Sequence, residues 1–305
     1  MNLGLGLKIS SNKFLSLFAS GFKTSLGSDV SDTPAAAYSL RTVVPTWFGR
    51  SLIEVRRSGD NAVKEFSEYE IESGIMEDWI TSGGLAARDA FIATWYDQSG
   101  NGNHATQSGA TEQPKIWDAS TGLVTENGRP ALDFDGVDDV LSVSGALYSQ
   151  DINMFAVINI LTTTSVQKTY YQRIIHLADG TNTYQITRAN EDNNYQLISK
   201  NTEYNTGSDS LNWGSNNGQI LLYARSNNTT DSDSIYIDSI EQSELGDNIG
   251  IGGGNNSPST FGSRNDLVST TFFEGSIQEL IIYSTDQSAN RTILETNIND
   301  YYDIF

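Results

Sequence analysis

Residues 92–107 read IATWYDQSGNGNHATQ, an apolar and aromatic run that passes through Asp97 into a cluster of Gly and Asn. A run rich in Ile, Thr, Trp and Tyr that stops at Gly and Asn is typical of a β-strand ending in a turn. Such a turn needs Gly for positive φ, Asn to tolerate it, and short polar side chains to accept amide hydrogen bonds. We therefore predict a structural turn formed by Asp97, Ser99, Gly100, Asn101, Gly102 and Asn103.

The same segment also invites a catalytic interpretation. Asp97, Ser99 and His104, which is one of only two histidines in the chain, could form a hydrolytic triad. No G-x-S-x-G elbow surrounds Ser99, however, and the turn interpretation explains more of the residues. We predict a structural role for this segment.

The rest of the chain indicates an all-β fold. Its 305 residues are 37% hydrophobic and 10% aromatic, which suffices for a sizeable core. Between residues 123 and 283, short alternating segments are separated by turns rich in Asn, Asp, Ser and Gly. Many short strands at close spacing predict a two-sheet jelly-roll sandwich, which we assign to residues 34–305.

Charge and cysteine content exclude several classes of partner and site. The net charge is −20, with 18 basic and 38 acidic residues. Nucleic-acid binding and anionic membranes both require clustered Lys and Arg, so we predict neither partner. The chain has no cysteine, which excludes disulfides, zinc–thiolate sites and cysteine nucleophiles.

Residues 1–33 differ from the remainder and predict an N-terminal docking arm. A strand-like alternation is followed by aromatic residues at helical spacing, and such exposed apolar surface usually marks an interface. The predicted docking residues are Leu3, Leu5, Leu7, Phe14, Phe18 and Phe22.

Two segments have the spacing of helices. Residues 74–92 are the main helical candidate in the first half of the chain, and within them Ser82 is a candidate N-cap for LAARDAFIA. Ser288 is a candidate N-cap for a short C-terminal helix, SANRTILETNINDYY, with Ile293, Asn297 and Tyr301 on one face.

The segment DFDGVDD, residues 133–139, has two interpretations. Four acids in seven residues resemble a calcium loop, but the bidentate Glu of an EF-hand is missing. The alternative is a hairpin in which Phe134 faces the core, Asp133 and Asp135 face outward, and Gly136 turns the chain. We predict the hairpin and no cofactor, and calcium stays a candidate ion.

Two further patterns bear on chemistry. IGIGGGNNS, residues 249–257, has no Walker lysine, so it predicts a glycine-rich strand and loop. A glycosidase requires paired carboxylates, and between residues 152 and 230 the only Glu residues are Glu191 and Glu203, both in polar turns.

Several of these blocks carry a family resemblance. AAAYSLRTV, SLIEVRRSGDNAVKEF, TWYDQSGNGNHATQ, IGIGGGNNS and TTFFEGSIQELIIYS resemble the catalytic domain of α-L-arabinofuranosidases of glycoside hydrolase family fifty-four. Related segments in bacteriophage virion proteins look even more similar. PALDFDGVDD and the closing F-x-G-x-I-x-E-x-I-x-Y pattern also resemble concanavalin-A-like and laminin-G-like sandwiches.

The resemblance implies the jelly roll but not the family's chemistry. The family's glycine-rich strand reads I-G-G-D, with that Asp as the catalytic acid, and the matching position here is Gly254. A glycine cannot donate a proton, and losing a general acid lowers a rate by about 10²–10⁴-fold. No Glu aligns with the family's nucleophile. We therefore predict that the protein is not an enzyme.

The resulting prediction is a bacteriophage structural protein of the capsid surface, tail or fibre, assembled in the host cytoplasm and located in the virion. The arm binds other virion proteins, the protein forms a homo-oligomer, and the sandwich binds cell-surface glycans weakly. The alternatives are an arabinofuranosidase-type glycoside hydrolase and a secreted bacterial lectin. The candidate glycan-binding residues are Tyr195, Asn212, Trp213 and Asn217.

Overall fold

The structure is a computed structural model. It describes residues 32–82, 88–145, 147, 151–160, 172–178, 183–188, 194–199, 211–212, 218–227, 232–242, 258–263 and 272–305. The side chains of residues 194–199 and 211–212 lie outside this description.

Short strands dominate the described residues. The first eleven are β1 (Ala36–Ser39), β2 (Ser51–Arg57), β3 (Val63–Ser67), β4 (Ala90–Trp95), β5 (Ala105–Thr106), β6 (Lys115–Asp118), β7 (Gly122–Leu123), β8 (Thr125–Glu126), β9 (Arg129–Pro130), β10 (Leu132–Asp135) and β11 (Leu141–Val143). The remaining ten are β12 (Asp151–Ile160), β13 (Gln172–Ala178), β14 (Thr183–Arg188), β15 (Asn194–Ser199), β16 (Leu211–Asn212), β17 (Gln219–Asn227), β18 (Ser232–Ile237), β19 (Ile240–Glu241), β20 (Ser259–Phe261) and β21 (Glu274–Tyr283).

Helices are few and short in the same residues. A 3₁₀ turn spans Pro45–Trp47. The α-helices are α1 (Glu68–Glu72), α2 (Ile75–Thr81) and α3 (Arg291–Tyr302).

The strands form two antiparallel layers. Sheet A has the order β3-β2-β4-β5-β11-β20-β13-β14-β15-β16. In sheet B, β21 pairs with β1 and β10 on one side and with β12 on the other, followed by β17, β18 and β19. Strand β6 pairs with both β4 and β10 and so connects the two layers.

One hydrophobic core fills the space between the sheets. Trp95, Phe261 and Ile175 of sheet A belong to the same buried cluster as Phe134 and Met154 of sheet B. Strands β10 and β11 bury alternate residues against this core, whereas β13 and β21 are buried almost throughout. The predicted all-β sandwich is thereby confirmed.

The predicted C-terminal helix is present and covers the outer face of sheet B. Leu294 and Ile298 pack in a second cluster with Phe155 and Tyr223. Two details of the prediction were wrong. The N-cap is Asn290 rather than Ser288, and Ile293 is exposed, because the face centred on Leu294 meets the sheet.

Two other local predictions were also wrong. The helix predicted over residues 74–92 is present as α2, but residues 90–95 form β4 instead, because this segment pairs with β2 and β6 on its two sides. Residues 133–139 do not join two paired strands. Strand β10 lies in sheet B and β11 in sheet A, so Gly136 turns the chain from one layer to the other.

A buried ion pair fixes the end of β1 to β21. The Arg41 guanidinium donates to both Glu279 oxygens at 2.7 and 2.9 Å, and neither side chain is exposed. The charge of Glu279 keeps the pKa of Arg41 above its usual value despite burial, which lowers it. The pair therefore stays ionised and positions the strand that follows the predicted arm.

The arm residues Leu3, Leu5, Leu7, Phe14, Phe18 and Phe22 all lie outside the described residues. None of the helices in the described part of the chain has the length and apolar character needed to cross a membrane.

Candidate functional site

The turn after β4 is organised by Asp97, which is completely buried. Its carboxylate accepts hydrogen bonds from the amides of Ala37, Ser99 and Asn103 at 2.9, 2.9 and 3.1 Å, and from the Ser99 hydroxyl at 2.7 Å. Gly100 and Gly102 have φ values of 90° and 76°, where glycine is favoured. Asp97 is therefore a buried hydrogen-bond acceptor that holds the turn together.

The same turn ties sheet A to β1 of sheet B. The Gln98 side-chain amide donates to the carbonyl of Arg41 at 2.9 Å and accepts from the amide of Val43 at 2.8 Å. Asn101 and Asn103 donate their side-chain amides to the carbonyl of Ala35. Neither Asn has the positive φ that the sequence suggested, so both serve as hydrogen-bond donors instead.

The hydrogen bonds of His104 differ from those of the histidine in a catalytic triad. Its Nδ1 accepts the amide hydrogen of Asp97 at 3.1 Å, which leaves Nε2 as the N–H donor of a neutral ring. The Asp97 carboxylate is used by backbone amides and by Ser99, as described above. These contacts argue against a Ser99–His104–Asp97 triad.

A row of polar side chains crosses the outer face of sheet A at one register. The residues of this row, which we call the polar row, are Glu65, Glu54, Thr94, Thr106, Ser142, Thr260, His176 and Gln185, on β3, β2, β4, β5, β11, β20, β13 and β14. Directly paired residues lie on the same side of a sheet. The neighbouring positions Trp95, Ala105, Val143, Phe261 and Ile175 are in the core, so the polar row faces outward.

Exposure changes along the polar row. Glu65 and Thr106 are exposed, and Glu54, Thr94 and Ser142 are half-buried. Beyond Ser142 the row is buried, at Thr260, His176 and Gln185. Solvent therefore reaches the five strands from β3 to β11, and this part of the row is available to a ligand.

Two carboxylates stand opposite each other at the exposed end of the row. Glu54 and Glu65, which we call the carboxylate pair, are directly paired between β2 and β3. Among the described residues, neither has a Lys or Arg partner within ion-pair distance. Like charges directly opposite on neighbouring strands destabilise a sheet. An unneutralised pair that costs stability is a candidate for function.

Hydroxyl groups hold both members of the carboxylate pair. Glu65 accepts from the Tyr96 hydroxyl and from Ser51, both at 2.9 Å, and Glu54 accepts from Thr94 at 3.1 Å. Burial, the hydrogen bond to Glu65 and the negative charges of Glu65 and Glu54 raise the pKa of Tyr96 above its ordinary value. Tyr96 therefore stays protonated and acts as a donor to Glu65.

Aromatic rings border the carboxylate pair. The rings of Tyr96 and His104 are 5.0 Å apart, and Trp47 lies 6.5 Å from His104. The Trp47 indole donates to the carbonyl of Ser51, the residue whose hydroxyl reaches Glu65. Rings beside carboxylates can stack on the apolar face of a sugar while the carboxylates reach its hydroxyls or its glycosidic oxygen.

A second acidic group lies at the crossing between the sheets. Asp135, Asp138 and Asp139 place carboxylate oxygens within 4.8 Å of one another. Oxygen ligands of this kind suit calcium, so calcium stays a candidate ion at this site. Asp135 and Asp139 also accept amide hydrogen bonds within the turn, from Val137 and Asp135 respectively, which is a structural role that needs no ion.

Asp139 makes stability depend on pH. Burial and the charges of Asp135, Asp138 and Asp133 raise the pKa of Asp139 to about 8, against an offsetting amide hydrogen bond from Asp135. In the unfolded chain an Asp ionises near pH 4. Between these values the unfolded state has lost a proton that the folded state keeps, so Asp139 lowers stability as pH rises from about 4 to about 8.

Between pH 5 and pH 9 we expect wild type to lose about 4 kcal/mol of unfolding free energy relative to Asp139→Asn, which has no proton to retain at this position. Asn keeps an oxygen for the Asp135 amide and cannot ionise. Urea unfolding at pH 5, 7 and 9 with a chelator present measures this difference. Asp300→Asn, at an exposed position on α3, is the control. Parallel profiles for wild type and Asp139→Asn would contradict the assignment.

Several predicted site residues cannot be placed in this site. Trp213 and Asn217, the position of Gly254, and the turn acids Glu191 and Glu203 lie outside the described residues. Tyr195 and Asn212 are on β15 and β16 at the far edge of sheet A, and their side chains are not described.

The sequence interpretation missed the carboxylate pair, although a signal was available. The turn at Ser58–Asn61 predicts a hairpin, and Glu54 and Glu65 each lie five residues from its central Gly59–Asp60. A symmetric hairpin pairs residues equidistant from its centre. The sequence-based prediction considered paired Glu residues only between 152 and 230, so it did not include this hairpin.

No protein-family model matches the chain, and no curated protein sequence matches it. Solved structures do. Three arabinofuranosidase structures are similar to the chain. Two are of family fifty-four α-L-arabinofuranosidase, one a mutant soaked with 4-nitrophenyl α-L-arabinofuranoside and the other soaked with a cyclic sulfate inhibitor. The third is an arabinofuranosidase in complex with arabinofuranosyl-α-1,2-xylobiose. In this order the TM-scores are 0.54, 0.55 and 0.54, with 15%, 14% and 16% identity.

These matches cover 87% of this chain and 62% of each arabinofuranosidase chain, so this protein spans less than two thirds of their length. The likeness shows a shared sandwich fold, as the sequence resemblance to family fifty-four implied. Trypanosoma rangeli sialidase in complex with sialic acid is also similar, at a TM-score of 0.46 and 11% identity, over 80% of this chain and 42% of that one.

The comparisons correct one prediction from the sequence. The similar structures are of glycoside hydrolases, which contradicts the prediction that the protein is not an enzyme. That prediction depended on Gly254 at the position of the family's acid. It overlooked the carboxylate pair on β2 and β3 of sheet A. The virion interpretation receives no support from these matches.

Proposed function

We propose that the protein is a glycoside hydrolase of the α-L-arabinofuranosidase type that acts at the exposed end of the polar row. The single observation that carries the proposal is the carboxylate pair, Glu54 and Glu65, directly opposed on the outer face of sheet A. The fold shared with arabinofuranosidases supports it. Paired carboxylates are the groups that most glycoside hydrolases use.

The spacing of the pair favours a retaining mechanism. Directly opposed residues on antiparallel strands have Cβ atoms about 5 Å apart. Retaining enzymes place their carboxyl groups about 5–5.5 Å apart, whereas inverting enzymes leave roughly 6.5–9.5 Å for a water molecule. Two Glu side chains that start from opposed Cβ atoms can bring their carboxyl groups to the closer separation, so retention is the outcome that we propose.

The hydrogen bonds suggest which carboxylate has which role. Glu65 is held in one orientation by Tyr96 and Ser51, as a nucleophile requires. Glu54 accepts only from Thr94 among the described residues, so it can turn toward a leaving oxygen. Glu54 donates a proton to the glycosidic oxygen as the bond to the anomeric carbon breaks, and Glu65 bonds to that carbon. Glu54 then takes a proton from the water that releases the sugar.

The neighbouring side chains supply binding rather than proton transfer. The Tyr96 ring and the Trp47 indole form an aromatic border for a sugar ring. The Nε2–H of His104 is a donor for a sugar hydroxyl. A furanoside that offers an apolar ring face and several hydroxyl groups matches this combination.

We expect the wild-type protein to release sugar from at least one α-L-arabinofuranoside. A panel of 4-nitrophenyl glycosides that includes furanosides and pyranosides of both anomeric configurations measures this. Proton NMR of the first product gives its stereochemistry, for which we expect retention. An inverted product would contradict the assignment of Glu65 as nucleophile. Binding without turnover across the panel would favour a lectin instead.

The location of the protein stays a separate prediction. Attachment to a virion through residues 1–33 is compatible with an enzymatic sandwich, and only Asp32 and Thr33 of that segment are described. Mass spectrometry of purified particles, before and after washing with high salt, tests this placement and the predicted partners. Detection of the chain only in the free soluble fraction would contradict it.

A further inference from the structure

We propose that the exposed part of the polar row binds a neutral, linear oligosaccharide laid across the strands of sheet A. The inference rests on the proposed function, because it extends the same site from one sugar to several. It identifies the substrate as a chain of sugar units rather than a single terminal residue.

The geometry gives the row the length of several sugar units. Its solvent-reached part runs from Glu65 to Ser142 over five adjacent strands. Neighbouring strands lie about 4.8 Å apart, so the four intervals span roughly 19 Å. Because every step is a direct pairing, the side chains follow one line across the sheet, and a linear ligand can contact them in succession.

The chemistry of the row selects uncharged ligands. Past the carboxylate pair the solvent-reached members are the half-buried Thr94 and Ser142 and the exposed Thr106. The Thr94 hydroxyl donates to Glu54 and the Thr106 hydroxyl to the carbonyl of Ser142, so both can still accept from a sugar hydroxyl, and the Ser142 hydroxyl can donate and accept. Exposed positions of a sheet usually include Lys or Glu, whereas these three consecutive strands present none at this register.

The charge of the protein disfavours acidic glycans. The net charge is −20, and part of this negative charge lies at the site itself, where Glu65 acts as a carboxylate. Uronic-acid or sialic-acid polymers would be repelled during the approach and at the row. The ligand that fits both the hydroxyl groups and the charge is a neutral oligosaccharide.

Solvent does not reach the end of the polar row that lies on β20, β13 and β14. Thr260, His176 and Gln185 continue the register but are buried. The Thr260 hydroxyl already donates to the carbonyl of Ser263 at 2.6 Å. A ligand therefore extends from the carboxylate pair as far as Ser142 and no farther, which sets an upper limit on the number of units bound.

Calorimetric titration with neutral arabino-oligosaccharides of one to five units tests the proposal. The titrations use the Glu65→Gln background, so that turnover does not change the ligand. We expect affinity to rise about tenfold or more from one unit to four and then to level off. Thr106→Val and Ser142→Ala should each weaken binding of the four-unit ligand about fivefold and leave the one-unit ligand unchanged. Thr125→Val, on the separate β8–β9 sheet, is the matched control.

The outcomes separate this inference from the proposed function. Affinity independent of chain length, or equal binding of acidic oligogalacturonides, would overturn the inference even if wild type hydrolyses arabinosides. Affinity that grows with length while wild type shows no turnover would overturn the proposed function and leave the binding row intact. Absence of binding at every length would overturn both. Circular dichroism of each variant shows whether it is folded.

Discussion

Replacing Asp97 by Ala is expected to lower the free energy of unfolding by about 3–5 kcal/mol. The substitution leaves the amides of Ala37, Ser99 and Asn103 without their acceptor in a buried turn. A buried donor left unsatisfied costs about 1–3 kcal/mol. Because the Ala37 amide belongs to sheet B and the turn to sheet A, the loss affects the contact between the layers.

Chemical unfolding of wild type and three variants measures this effect. Asp97→Asn keeps one acceptor oxygen and should lose roughly half as much stability as Asp97→Ala. Asp118→Ala is the matched control, because Asp118 accepts the same kind of turn hydrogen bonds from Ser120 at the surface. We expect a much smaller change there. Equal losses at Asp97 and Asp118 would show that the Asp97 turn does not join the sheets.

Replacing Glu65 by Gln is expected to lower kcat for an arabinofuranoside by about 10²–10⁴-fold. Tyr96 and Ser51 donate to different oxygens of Glu65, so Gln keeps an acceptor for one of them, but it cannot bond to the anomeric carbon as a carboxylate does. Glu54→Gln should cause a loss of similar size for a poor leaving group. For 4-nitrophenolate, which leaves without protonation, its loss should be smaller.

The same substitutions should raise stability slightly. Removing one of two opposed carboxylates relieves their repulsion, so each variant should gain about 0.5 kcal/mol. Glu77→Gln, on the exposed side of α2, is the control for both activity and stability. Full activity in the Glu65→Gln variant would remove Glu65 from the mechanism. A loss of stability together with activity would indicate a structural role instead.

A chemical test separates these roles further. The Glu65→Ala variant leaves space beside Tyr96 for a small anion. Sodium formate should then restore part of the lost turnover by acting in place of the missing carboxylate. Formate should have no effect on Glu77→Ala, which keeps the site intact. A structural defect would not respond to formate in either variant.

The sequence predicted the fold well, since the period-two alternation of a half-buried strand is a local property. The segments PALDFD and VLSVS contain β10 and β11, which bury Leu132, Phe134, Leu141 and Val143 at alternate positions. INMFAVINIL and IQELIIYS were predicted as strands from continuous apolar runs, and β12 and β21 are buried on both faces. Partner choice is not local. Residues 132–143 show the same alternation on each side of Gly136, and only the structure reveals that β10 and β11 belong to different sheets.

Tertiary pairing also overrode local propensity at residues 90–93. Leu, Ala and Arg favour a helix, but Ala90, Phe91 and Ile92 lie in a strand flanked by partners on both sides. Central strands gain two ladders of hydrogen bonds and a buried face, which outweighs a preference of a few tenths of a kcal/mol per residue.

The candidate site was only partly predictable. The turn residues around Asp97 could be identified because their chemistry is local. The polar row could not, because its eight members come from eight strands that are brought together by register alone. The carboxylate pair lies between these cases, since the hairpin centre at Gly59–Asp60 already places Glu54 opposite Glu65.

The most direct test of the central claim is sugar release from an α-L-arabinofuranoside by the wild-type protein and by a Glu54→Gln/Glu65→Gln double variant at equal concentration. We predict that wild type releases arabinose with retention of configuration and that the folded double variant does not. Equal release by both proteins, or no release by wild type from any furanoside in the panel, would contradict the claim that this pair of carboxylates is an active site.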